Sequence, residues 1–188
     1  MKKLSSVQGK TQPDAESGEN GLRECKWEPT VEFEIPKDWV SGVYLGKLTA
    51  KEDGSQSYII FTVRDDRPCD LLFQSSVLTW QSYNSWPNQE WSIYHDNSNN
   101  YRPKDKGILK ARGKKNGGDM GPDSGWVSYD RPYAQFRYDH FLDRPDTVGS
   151  GEFLLWEFSL SYWLEQQGYD VSYITNVDTH RDGQGLLK

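Results

Sequence analysis

Apolar and polar residues alternate strictly from Val31 to Ile35, the period of a half-buried strand, and the pattern stops at Pro36. Ser41 and Gly42 give a turn signal, and Val43 to Thr49 then reads as a second strand. Asp53 and Gly54 give a hairpin signal, with Tyr58 to Val63 as the strand returning beside it. Residues 31 to 63 therefore predict an antiparallel sheet fragment, closed by Asp65, Asp66, Arg67 and Pro68. Asp70 to Leu78 predicts a buried strand, and Val127 to Tyr129 a short extended segment.

The clearest helical period runs from Ser150 to Gln167, where Phe153, Trp156, Leu160 and Trp163 recur on one face. Leu154, Phe158 and Tyr162 widen that face and leave Glu157, Ser161 and Glu165 as the expected wet strip. Ser150 is placed to cap the start, Glu152 to complement the helix dipole, and Gly168 to close the end in a left-handed conformation. Tyr169 to Ile174 then alternates as a strand. Helix, glycine and β-rich strand make the second half of a βαβ unit. The expected fold class is α/β: an antiparallel β segment, then the first part of a parallel α/β sheet beginning near Asp70. Ligands are expected at the carboxyl ends of its strands, where Val77 to Trp86 and Thr175 to His180 lie. Residues 182–188 would ordinarily feed another element, so the expectation is the front part of a larger, incomplete domain.

Composition divides the chain into three regions. Residues 1–24 are polar, with few large apolar side chains, and predict a disordered lead-in or linker; 25–68 form the β segment; 69–188 form the α/β part. A loop insertion at 95–125 holds seven Lys or Arg between Arg102 and Lys115, without the aromatic interleaving of a nucleic-acid surface. A net charge of −6 argues further against nucleic acid or an anionic membrane as partner. No apolar run reaches the length of a membrane span, and the basic start lacks the apolar stretch of a signal peptide, so a cytoplasmic location is expected. Mean hydropathy is −0.87, lean for a compact fold, and eight Trp and eleven Tyr offset part of that deficit. Cys25 and Cys69 show no zinc-ligand spacing.

The stretch Val77 to Trp86 concentrates candidate chemistry: aromatic walls from Trp80, Tyr83 and Trp86, with directional groups from Gln81 and Asn84. There is no nucleophile elbow, phosphate loop, zinc-protease motif or dinucleotide fingerprint. What remains is phenol, carboxylate and imidazole. Tyr83, Tyr94 and Tyr133 are candidate oxygen ligands to a hard metal, which would lower a phenol pKa from ~10 far enough to give phenolate. The plainer reading for each is a packing ring with a hydrogen-bonded hydroxyl. Asp178 and His180 stand on one side of an expected strand end, as candidates for proton transfer or for loop capping. Arg131 suits a structural ion pair or a substrate carboxylate. His95 and His140 carry no assignment. A non-enzymatic alternative is an aromatic-rich module around Trp80, Trp86 and Trp91 that holds carbohydrate or a protein partner.

Five segments occur in one order: Ile35-Pro36-Lys37-Asp38-Trp39 on to Leu45; Phe61 to Arg64; Thr79-Trp80-Gln81-Ser82-Tyr83-Asn84; Val127 to Tyr133 with Asp130-Arg131-Pro132-Tyr133; and Trp163 to Val171 with Gly168-Tyr169-Asp170-Val171. Together, over roughly residues 30 to 182, the chain resembles the C-terminal region of the large (beta) subunit of N,N-dimethylformamidase and its relatives. The resemblance implies a glutamine-amidotransferase-like α/β fold preceded by β structure. It also implies an amidohydrolase that cleaves a small amide substrate, using a mononuclear iron held by two tyrosines and a glutamate. By motif the tyrosines are Tyr83 and Tyr133, with Tyr94 as alternate to Tyr83. Beside the resemblance, Trp80, Asn84 and Arg131 are the candidates for substrate binding, and His180 with Asp178 for catalysis. The family's glutamate belongs to a His-x-Glu-Tyr-Trp segment after the next strand, which these 188 residues do not include. The expectation is therefore a partial chain with an incomplete iron site, inactive alone, with a second subunit or homo-oligomer as further partner.

Overall fold

A computed structural model of the chain describes residues 6–13, 16–17, 22–84, 86, 128–133 and 147–186. Two short strands, β1 (Glu16–Ser17) and β2 (Arg23–Glu24), pair antiparallel within the polar lead-in. Trp27 Nε1 donates to the Pro13 carbonyl at 2.9 Å, and Gln12 Nε2 to that of Glu28 at 3.0 Å.

β3 (Gly42–Thr49) and β4 (Gln56–Val63) form the expected antiparallel hairpin, in register from Gly42 with Val63 to Thr49 with Gln56. Its turn is set by Gly54 at φ +73°, the Gly54 N–H bonding the Ala50 carbonyl, and by the Asp53 carboxylate accepting from Ser55 N at 2.9 Å. The alternating segment Val31 to Ile35, however, forms no strand, and Val31, Phe33 and Ile35 are all exposed. Period alone does not make a strand without a neighbour to pair with. The segment packs edge-on, Phe33 against Phe61 at 5.8 Å between centroids. Trp39, Tyr44 and Phe61 continue that layer as near-parallel rings.

β5 (Leu71–Ser75) and β6 (Val171–Thr175) pair parallel, from Leu71 with Val171 to Ser75 with Thr175. The βαβ expectation therefore holds. β5 ends three residues earlier than expected, because the chain turns at Ser76 into helix α1 (Val77–Tyr83). The helix expected from Ser150 to Gln167 begins as a π-helical turn, Phe153–Glu157, and only then becomes α2 (Phe158–Gln166), closed by Gly168 at φ +77° as expected. Ser150 does not cap it: its hydroxyl donates to the Thr147 carbonyl at 2.6 Å instead. Thr175 to His180 is not an extended end either. It opens helix α3 (Asn176–Leu186), which kinks at Asp182. The chain is thus a mixed α/β protein whose described residues form an antiparallel hairpin, a parallel strand pair and three α-helices. No helix of the described residues is long and apolar enough to cross a membrane.

Hairpin and parallel pair meet through polar contacts. Tyr173 N donates to the buried Ser41 Oγ at 2.8 Å; that hydroxyl donates to the Val63 carbonyl at 3.0 Å; Ser172 Oγ reaches Asp65 at 2.6 Å. Arg67 adds a bond to the Val171 carbonyl at 3.3 Å, so the outer edge of β6 is sealed by side chains. α2 lies on the sheet by the strip expected to be wet. Ser161 bonds the Tyr173 hydroxyl at 2.9 Å and Glu165 accepts from it at 2.6 Å, while Trp156, Leu160, Tyr162 and Trp163 are exposed.

Candidate functional site

α1 is seven residues long and begins without a side-chain cap of its own. Its first N–H groups are satisfied from outside. Glu157, at the end of the π turn, accepts from Ser76 N at 2.9 Å and from Trp80 Nε1 at 3.0 Å. Asn176, at the head of α3, accepts from Leu78 N at 3.1 Å. The helix therefore leaves the carboxyl end of β5 in a fixed direction, and Trp80, Tyr83 and Asn84 fall on one side of it at i, i+3 and i+4 spacing.

Trp80 is 3% exposed. Its ring meets Tyr133 edge-on at 6.1 Å and Phe153 at 6.4 Å. Gly151, at φ +57°, passes beneath it: a Cβ there would lie 2.6 Å from Trp80 Cε3. The corner that carries Gly151 is fastened to the hairpin, with Tyr58 N donating to the Val148 carbonyl at 2.8 Å. Gly149, at φ +84°, lies so close to the Tyr58 carbonyl that no Cβ fits. Hairpin, corner and α1 are thus one mechanical unit around Trp80.

Arg131 is buried and binds α1 through Gln81. Its Nε donates to Gln81 Oε1 at 3.0 Å, one terminal nitrogen to the Gln81 carbonyl at 2.7 Å, and the other to the Trp86 carbonyl at 3.1 Å. Asn84 donates to Gln81 Oε1 at 3.2 Å and to the Pro132 carbonyl at 2.9 Å. Segments 80–84 and 131–133 are therefore joined, and Trp80, Asn84, Arg131 and Tyr133 belong to one cluster, with Tyr83 at the end of the same helix. Tyr94, Trp91, His95, His140 and the basic insertion at 95–125 lie outside the described residues. Trp80 lies under the cluster, not on an open aromatic face. Trp86 stands edge-on to Trp27 at 5.3 Å.

Asp178 and His180 are on α3. Thr175 and Asp178 form a reciprocal capping box: Asp178 accepts from Thr175 N at 2.8 Å while Thr175 Oγ1 accepts from Asp178 N at 3.3 Å. Arg64 pairs with Asp178 at 3.2 Å. Burial pushes the Asp178 pKa up, but the Thr175 hydrogen bonds and the charges of Arg64 and Arg181 outweigh it and leave the group below its usual value. His180 is exposed.

The electrostatics of the cluster centre on two groups. Burial drives the Tyr133 phenol well above its ordinary pKa, with Tyr129 and Glu152 adding to the rise while Gln81 and Arg131 oppose it. Glu152, 7% exposed, is pushed up to about 7 by burial and by the neighbouring charge of Glu157. Glu152 Oε1, Glu157 Oε2 and Ser75 Oγ are buried without a hydrogen-bond partner among the described residues. Glu152 and Glu157 carry no functional expectation from sequence, and Gln81 only that of a directional group in its stretch; Glu157 reads there as a solvent-facing residue. The only available signal was the placement of two carboxylates five residues apart in an otherwise aromatic helix. Cys25 and Cys69 are both free thiols, and burial raises the pKa of Cys25.

An α/β scaffold that joins a Trp-Gln-Ser-Tyr-Asn helix to an Arg-Pro-Tyr segment defines a class of protein by its site. A family model described as N,N-dimethylformamidase beta subunit-like, C-terminal, matches residues 1–188, the whole chain. The chain belongs to that family. No curated protein matches it at a significant level.

Proposed function

We propose that this chain supplies tyrosine ligands to a metal-dependent amidohydrolase site acting on the C–N bond of a small linear amide. The observation that carries the reading is the junction of the 80–84 and 131–133 segments through Gln81 and Arg131, since these segments also carry the family resemblance.

The donor chemistry fits iron. Tyr133 and Tyr83 offer hard phenol oxygens, and Glu152 Oε1, which has no hydrogen-bond partner among the described residues, adds acceptor capacity near Tyr133 that supports this reading. A buried phenol stays protonated until a cation beside it stabilises the phenolate, which is the service a trivalent ion provides. When bound, iron supplies Lewis-acid polarisation of the amide carbonyl. The protein's part is to exclude water and set orientation. Trp80 and Phe153 wall the Tyr133 side, Gln81 and Arg131 favour the ionised phenol, and Asn84 ties the helix end to Pro132. His180, exposed on α3 at the carboxyl end of β6, is the proton carrier in this reading, beside an Asp178 held by Thr175 and Arg64.

The test is iron analysis of the purified protein together with a search for a phenolate-to-iron absorption band. Tyr133→Phe and Tyr83→Phe should each weaken or abolish the band and lower the iron content. Unchanged iron in both variants would sink the ligand assignment. Release of amine from small formamides and acetamides then reads the reaction itself.

A further inference from the structure

Beyond Phe153 the π-helical turn at Phe153–Glu157 has no role in the proposed chemistry, yet it closes on the helix that carries most of the site. We infer that Glu157 is a positioning residue of the site: a cap for α1, supplied from a distant part of the chain, which fixes how Trp80, Gln81, Tyr83 and Asn84 are presented. The role assigned to the positioned residues rests on the reading above; the cap itself does not.

Three observations converge. α1 has too few residues to be stable alone, and Ser76, at its N-cap position, makes no side-chain cap bond. A single oxygen, Glu157 Oε1, accepts both the Ser76 backbone N–H at 2.9 Å and the Trp80 indole N–H at 3.0 Å. It thus holds the helix at its start and again one turn later, on the side chain that Tyr133 and Phe153 enclose. Finally, Glu157 is the last residue of the π turn, where the wider winding displaces side chains from the positions a regular α-helix would give them. π turns of this kind concentrate at functional sites.

The carboxylate is doubly suited to this work. An anion near a helix N-terminus is favoured by the exposed N–H groups there, and both hydrogen bonds are charge-assisted.

Amide hydrogen exchange on the full chain separates this role from general packing. In Glu157→Ala, exchange at residues 77–84 should rise roughly tenfold, the loss expected for a helix cap, while amides of Val171–Thr175 keep their protection. Glu157→Gln retains an acceptor oxygen and should restore protection to within about threefold of the parent protein. Trp80→Phe removes the indole bond with part of the buried ring and should give an intermediate rise. Unchanged exchange at 77–84 in Glu157→Ala would overturn the inference. So would equal loss of protection in the 77–84 and 171–175 segments, together with failure of Glu157→Gln to rescue. In protein loaded with ferric ion, the absorption band should weaken in Glu157→Ala and return in Glu157→Gln. If the parent protein shows no such band, the iron reading fails while the exchange pattern still decides the cap.

Discussion

Trp80 in α1 and Trp163 in α2 belong to equally aromatic helices, yet one is 3% exposed and the other 49%. Ring content does not separate them. Trp80 is inside because its indole N–H has an acceptor in Glu157 and because Gly151 lets the backbone close over its face. Trp163 is outside because α2 meets the sheet with Ser161 and Glu165, which bond to the Tyr173 hydroxyl. A buried Trp needs a home for its polar end as much as a place for its area. In this chain the polar partners, more than the apolar stripes, decide which face of a helix goes inward.

The sharpest way to break that contrast is to truncate both rings. Trp80→Ala should cost about 3–5 kcal/mol in urea unfolding, as a large core ring lost to a cavity, and Trp163→Ala within about 0.5 kcal/mol, as a surface change. Comparable losses at both sites would mean that the outer face of α2 is covered in solution.

The next largest effect is on pH. Glu152 has a native pKa of about 7, raised from 4.5 by burial and Glu157, so the native state binds the extra proton between those values. Its contribution is fully present below about pH 4.5 and is lost as pH rises through about 7, a swing on the order of 3 kcal/mol. Glu152→Gln should flatten that part of the stability–pH curve. An unchanged slope would show that Glu152 is not the group responsible. Asp178, with its lowered pKa, acts in the opposite sense, and its contribution fades on acidification.

Smallest is the joint between hairpin and parallel pair. Ser41→Ala leaves Tyr173 N–H without its acceptor and should cost about 1–3 kcal/mol, measured by the same unfolding curves. A neutral result would place the hold between the two sheets in the aromatic layer around Trp39 and Phe61 instead.

Local rules made the hairpin and the βαβ unit legible. Strand residues flanking Asp53 and Gly54, and a helix closed by Gly168 before a β-rich run, are signals that neighbours in sequence complete. The same rules misread Val31 to Ile35, where alternation occurs without a strand to pair with, and α1, where cross-chain caps from Glu157 and Asn176 make a helix out of a segment that reads as a strand end. They also inverted α2. Periodicity shows which strip is apolar, but the hydrogen-bonding partner of the opposite strip, Tyr173, lies on another element. At the site, Trp80, Asn84, Arg131 and Tyr133 were recognisable by motif and meet in space. The use of Gln81 to join the two segments, and of Glu157 to brace them, was not, because their partners lie some 50 to 80 residues away.

The π turn sets a limit on how this lineage can vary in length. Deleting one residue between Phe153 and Glu157 would let the segment relax to an ordinary α-helix, whose tighter winding presents the following carboxylate to Ser76 and Trp80 at a different angle and height. Adding one would overshoot in the other direction. Single-residue insertions and deletions should therefore be absent from this turn in functional descendants, even where substitutions on the exposed face of α2 accumulate freely.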